Sequence, residues 1–247
     1  MKHQSRAVLT LACAAVLVPR AALPAAGDGA RAPRPPGQEP APAATKLLAD
    51  ARAARAAWKD FPGFSADVEV NLDGKLSSGT VKVDARGRVS VDVPDQAGKL
   101  WAKHLLASVV GHRLDTPGSR QTPCAFADDN PRHPLGRAIH VLGDEFHSSY
   151  RIRDRQILAV NRQMEDERFS ITVLENRRND AGKFLPAFFV VNSWDAKTGA
   201  LRSSQTQHQT WRRVGRFDLP ETTTVVTAAA DKQETRSVRL SRHRLLP

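Results

Sequence analysis

Covalent staples are scarce in this chain: it has two cysteines in 247 residues, and Cys13 sits in an apolar amino-terminal run. If that run is removed as a signal, Cys124 stands alone, no intramolecular disulfide can form, and the fold must rest on its core. Aromatic residues make up 6% of the chain, with a single tyrosine. That composition carries no RNA-binding aromatic signature, and no zinc-finger spacing occurs, so nucleic acid is excluded as a partner. No G-x-S-x-G elbow, H-E-x-x-H pair, P-loop or C-x-x-C is found. No catalytic residue and no cofactor is therefore assigned, while an enzyme assembled from distant strands stays open. Acids are outnumbered, 26 Asp and Glu against 37 Lys and Arg, for a net charge of +11. Removal of Lys2, Arg6 and Arg20 with the signal leaves +8. Such an excess favours anionic partners, acidic lipid head groups or envelope polyanions, although arginines spread along strands also read as ordinary solvated surface.

What is present begins with an export signal. Residues 1–6 are basic and 7–18 are apolar, too short to span a bilayer and the length of a signal h-region, with small residues near Ala25 and Ala26 for cleavage. Residues 1–26 are thus expected to leave, and the protein to act in the periplasm or outside the cell. Acylation at Cys13 is disfavoured by Thr10-Leu11-Ala12 in front of it and by the apolar run continuing past it. Residues 27–44, GDGARAPRPPGQEPAPAA, hold five prolines and no large apolar side chain, the composition of a disordered linker. A single domain is expected over 45–247.

Residues 150–175, YRIRDRQILAVNRQMEDERFSITVLE, are the clearest structural signal. Tyr150 and Ile152 alternate with arginines, and Phe169, Ile171 and Val173 alternate with Ser170 and Thr172, which predicts an antiparallel meander turning at Asp154-Arg155 and 165–167. The same alternation recurs in Ala66, Val68, Val70 and Leu72, in Val81 and Val83, and in Val89, Val91 and Val93. Residues 184–195 are apolar on both faces and predict a covered strand. The polar stretch 201–211 predicts an edge strand facing water, the alternative being a strand with one face on a wet cavity. Two helices are predicted, one capped by Thr45 with Leu47, Ala51, Ala54 and Trp58 inward, the other capped by Asp95 with Ala97, Leu100, Trp101, His104, Leu105 and Ser108 on its stripe. The expected fold is mainly β: a long curved antiparallel sheet or incomplete barrel of about 10–12 strands, with two amphipathic helices covering the inner face.

Three stretches, FPGFSADV from Phe61, YRIRDRQILAVNR from Tyr150 and WRRVGRFDLPETTTV from Trp211, resemble a bacterial and plastid family catalogued as domain of unknown function 3386. The same plan is similar to periplasmic lipoprotein carriers, the LolA/LolB-like domains. That resemblance implies an incomplete barrel able to bind acyl chains, and it implies no catalytic residues.

For chemistry, His133, His140 and His147 recur every seven residues. They fall in a loop, a strand and a turn, so no metal site is assigned. Trp58, Phe61, Phe64, Trp101, Leu105, Phe188 and Trp194 are the candidate ligand-binding residues, lining a cleft between helices and sheet; ordinary core explains them equally. The leading expectation is a non-enzymatic exported domain that binds a lipid or other amphiphile. The alternatives are a protein or polyanion interaction module with a solid core, and a hydrolase built around residues such as His208 and His147.

Overall fold

The computed structural model describes residues 39–114, 122–230 and 232–247. The expected signal with Cys13, most of the expected linker, and Pro117-Gly118 lie outside the described residues. The chain runs α1 (Pro42–Ala53), β1 (Gly63–Leu72), β2 (Lys75–Asp84), β3 (Val89–Asp92), α2 (Gln96–Gly111), β4 (Cys124–Phe126), β5 (Arg137–Val141), β6 (Ser149–Arg153), β7 (Gln156–Gln163), β8 (Glu167–Arg178), β9 (Phe184–Asp195), β10 (Leu201–Val214), β11 (Phe217–Ala229) and β12 (Lys232–Leu245). All twelve strands form one antiparallel sheet in the order β3-β2-β1-β12-β11-β10-β9-β8-β7-β6-β5-β4. It curves without closing, the mainly β architecture expected.

Strands β4 to β12 form a nine-stranded meander and β1 to β3 a second, three-stranded one. Local turn chemistry builds the meanders: Asp154 and Arg155 both take positive φ, 51° and 60°, as a two-residue hairpin turn between β6 and β7 requires. One long-range pairing joins the two, β1 on β12, with Val68 opposite Leu240 and Val70 opposite Val238. The two free edges, β3 and β4, are four and three residues long, lengths that limit edge-to-edge association.

Residues directly opposite one another share a face, so register traces the inner surface across the sheet. It passes from Val70 through Val238, Thr223 and Gln209 on one side, and from Val191 through Ile171, Val160, Tyr150 and Ile139 on the other. Both helices pack on this face. The Leu105, Leu106 and Val110 side of α2 meets Val68, Val70, Val81 and Val83, and the Ala44, Leu48 and Ala51 side of α1 meets Cys124, Ile139, Tyr150 and Ile152.

Three expectations change. Helix α1 starts at Pro42, inside the stretch expected to be linker, and has no side-chain cap; the Thr45 hydroxyl instead accepts the Cys124 N–H at 3.1 Å. Its buried side is Ala44, Leu48 and Ala51, because the helix ends at Ala53 and Trp58 belongs to the connection beyond it. In α2 the Asp95 cap holds, accepting from the Gly98 N–H at 2.6 Å, but the buried side is Gly98, Ala102, Leu105, Leu106, Val109 and Val110. The paired apolar residues at 105–106 and 109–110 outweigh the stripe through Leu100, which is left exposed. Strand β10 is not an edge strand: it lies between β9 and β11 with Gln207 and Gln209 buried.

Gly136 shows how closely strands approach at the β4 end. It has φ +82°, and a Cβ there would lie 2.1 Å from the Ile152 carbonyl oxygen of β6. Gly136→Ala is therefore expected to destabilise the protein by about 2 kcal/mol or more, read as a lowered denaturant midpoint at unchanged m-value.

Candidate functional site

The candidate residues separate into two groups. Trp58, Phe61, Phe64 and Leu105 are buried together, with Trp101 packed at the margin of the same core. Phe61 is its hub, stacked on Trp58 at a 4.4 Å centroid separation and edge-on to Phe217 at 5.4 Å and to Phe64 at 6.3 Å. The Trp58 indole N–H donates to the Asp218 carbonyl at 3.2 Å. These rings fill the space between α2 and the sheet, so the open surface lies elsewhere. Phe188 and Trp194 lie on the other face: Phe188 is opposite His208, which is opposite Thr224, one residue out of phase with the inner series. Trp194 shares that outer face, under the Arg168 guanidinium at 5.1 Å. Neither faces the helices.

The open inner surface is the middle of the sheet. Helix α1 packs against β4, β6 and β7, and α2 against β1 and β3. Between those patches register places Phe169, Ile171 and Val173 of β8 and Phe189 and Val191 of β9 on the inner face. The first four stay half-buried. Beside them run Gln205, Gln207 and Gln209 of β10, the polar face whose alternative reading was a wet cavity. The strip is thus a trough with an apolar floor on β8 and β9 and an amide wall on β10.

One side of the trough is strongly basic. Arg162 of β7 lies directly opposite Phe169 and lines a recess of about 350 Å³ together with Arg52, Asp144, Phe146, Ser148 and Tyr150. Arg52 donates to the Thr122 hydroxyl at 3.0 Å. Arg55, just past α1, donates to the His112 carbonyl at 2.8 Å. Arg113 is buried, donates to the Ala56 carbonyl at 3.1 Å and stands 5.7 Å from the Trp211 ring centroid. His112 remains open to solvent, yet desolvation, followed by the charges of Arg55, Arg113 and Arg162, lowers its pKa from 6.5 to about 4. Desolvation also lowers the pKa of Arg113 well below its usual value, but a guanidinium this basic keeps its proton at neutral pH.

A family model described as "Protein of unknown function (DUF3386)" matches residues 39–246. The chain belongs to this family. The resemblance carried by the stretches at Phe61, Tyr150 and Trp211 is thereby shown. Among solved structures the DUF3386 chain is similar to a LolA superfamily protein from Nitrosomonas europaea, at 12% identity over 83% of this chain and 94% of that one, with a TM-score of 0.28. Similarity at that level carries no functional argument. No curated protein matches.

Other candidate chemistry in this DUF3386 chain is dispersed. His133 Nδ1 accepts the Leu135 N–H at 3.1 Å, His140 lies on β5, and His147 sits in a turn with φ 46°; among the described residues no three His, Cys, Asp or Glu side chains gather as a metal site would need. His208 is exposed on the outer face of β10, four strands from β6, about 19 Å at roughly 4.8 Å per strand. It shares no cleft with His147. Asp128 accepts the Ala138 N–H and pairs with Arg151 at 2.8 Å, holding the β4–β5 connection. The Cys124 thiol is buried, which raises its pKa and suppresses thiolate chemistry.

Two outcomes are expected. Phe61→Ala should cost about 3–5 kcal/mol in chemical denaturation, as loss of a core hub does. His112, with its folded pKa below its unfolded value, stabilises the fold fully above pH 6.5 and loses that contribution as pH falls toward about 4. Denaturation midpoints of His112→Gln should therefore decline less than those of the parent between pH 7 and 4.

Proposed function

We propose that this protein is a non-enzymatic, exported carrier or binding domain that holds an amphiphile along the inner face of β8 and β9. The supporting observation is the half-buried strip Phe169, Ile171, Val173 and Phe189, which faces the same side as both helices and lies between the patches they cover. Contiguous apolar surface in a concavity, flanked by polar groups, is the usual form of a site for an apolar body with a polar end. An acyl chain burying about a dozen methylenes there gains on the order of 10 kcal/mol at roughly 0.8 kcal/mol each. After association costs of about 4–6 kcal/mol, binding between tens of micromolar and millimolar remains.

The amide wall fits this reading. Gln207 and Gln209 are buried on the inner face, and Gln207 donates to the Gln205 side-chain carbonyl at 3.5 Å; a floor of apolar side chains beside hydrogen-bonding amides suits a ligand whose length is apolar and whose end is not. The aromatic core around Phe61 then serves to fix α2, and through it the far wall of the trough. The basic residues 1–6 and the apolar run 7–18 support the exported part of this reading.

Lipid extraction of protein purified from the envelope fraction, followed by mass spectrometry, should recover a stoichiometric amphiphile. Ile171→Glu, which puts a carboxylate on the trough floor, should abolish it while changing the unfolding midpoint little. An extract free of lipid, with no uptake of added fatty acid by native mass spectrometry, would contradict the proposal.

A further inference from the structure

Arg162 is the most unusual arginine in the sheet. Its Nε is buried without a hydrogen-bond partner, and among the described residues none of its nitrogens makes a hydrogen bond or an ion pair. Arg137 and Arg236 also leave Nε unpaired, but each is held through its terminal nitrogens, Arg137 by the Asp128 carbonyl at 3.3 Å and Arg236 by Glu234. Arg162 is held in place by an aromatic face alone, with its guanidinium 5.6 Å from the Phe146 centroid. A half-buried guanidinium that is positioned but not neutralised loses hydration with no return from a partner. Two more arginines stand nearby: Arg52 lines the same recess, and Arg55 follows it one turn on, just past α1. Among the described residues the one carboxylate lining the recess, Asp144, already accepts the Ser148 N–H at 2.9 Å.

We propose that the recess binds the anionic head of the ligand, a carboxylate or a phosphate, with Arg162 as its direct partner, the Tyr150 and Ser148 hydroxyls beside it, and Arg52 and Arg55 supplying the surrounding positive field. This rests on the amphiphile reading and deepens it. The register supplies the continuity the ligand needs: Arg162 stands directly opposite Phe169, and Tyr150 is two pairings from Ile171 through Val160. A head on Arg162 therefore runs straight onto the apolar floor. The recess, about 350 Å³, has room for a phosphate or carboxylate with methylenes behind it, and the rest of the chain continues onto the trough floor that begins at Phe169. Charge-assisted hydrogen bonds from a guanidinium to such oxygens are the strong kind, and they are worth most where water is partly excluded.

The test is calorimetric titration of the full mature chain with dodecyl phosphate, dodecanoate, dodecanol and inorganic phosphate, for the parent, Arg162→Gln and Arg162→Lys. The parent should bind the two anionic amphiphiles about tenfold or more tightly than dodecanol. Arg162→Gln should erase that preference while leaving dodecanol within about twofold, and Arg162→Lys should restore part of it. Since Arg162 makes no hydrogen bond or ion pair among the described residues and only stacks on Phe146, both variants should unfold close to the parent's midpoint. If all three amphiphiles bind alike in the parent, or Arg162→Gln weakens all three equally, the head-group assignment is overturned and the carrier reading stands. If inorganic phosphate binds in an Arg162-dependent way and no amphiphile gains from its chain, the anion site stands as one for a free anion and the carrier reading is overturned. If no probe binds, both fall.

Discussion

The pairing of β1 with β12 is the contact on which the rest depends. It joins a three-stranded and a nine-stranded meander into one twelve-stranded surface, about 53 Å across at roughly 4.8 Å per strand. Against that width the chain sets two helices of 12 and 16 residues, about 18 and 24 Å long and roughly 10 Å thick. Even laid across the strands they would leave part of one face bare. They take opposite ends, α1 over β4 to β7 and α2 over β1 to β3. The bare part is therefore central, and it is where the inner face of β8 and β9 stays half-buried and apolar. An uncovered strip follows from the ratio of strands to helices; its placement in the middle follows from where the two helices dock.

Charge is arranged in the same sense. Several exposed arginines are matched: Arg239 with Glu69 at 3.3 Å, Arg242 with Asp67, Arg212 with Glu221 at 3.4 Å, Arg202 with Asp195 at 2.6 Å. Exposed pairs of this kind contribute little stability, but they lower the outward field that a polyanion-docking surface would need. Arg55, Arg113 and Arg162, which form no ion pair among the described residues, stand beside the trough, while exposed cations such as Lys82, Arg86, Arg168 and Arg244 carry the remaining positive charge on the outer surface.

Strand content, the turn at Asp154-Arg155, the Asp95 cap and the two-helix cover were legible because each rests on neighbours in sequence. Period-two alternation, paired turn residues and an N-cap are local signals. What required distant contacts was not legible. The Gln-rich stretch of β10 looks like an edge because its polarity is visible and its neighbours are not; pairing with β9 on one side and β11 on the other makes it an interior strand. The candidate aromatics were chosen by size, and size cannot tell face: Phe188 and Phe189 are adjacent, and register alone sends the first outward and the second into the trough. Arg162 carried no signal at all in an arginine-rich chain, because being unpaired is a property of the fold. A mixed apolar and amide alternation, Phe169, Ile171 and Val173 on the same face as Gln205 and Gln207 across β9, is the pattern from which the trough was readable in retrospect.

The central claim is that an amphiphile lies on the inner face between the helices, and the four tryptophans of the chain report on it from different places. Trp211 stands beside Arg113 near the trough, while Trp194 is on the outer face under Arg168. With the chain labelled by 5-fluorotryptophan, addition of a fatty acid carrying a doxyl spin label on its chain should broaden the fluorine resonance of Trp211 and leave that of Trp194 sharp. Broadening of Trp194 with Trp211 unaffected, or no selective broadening of either, would contradict the account.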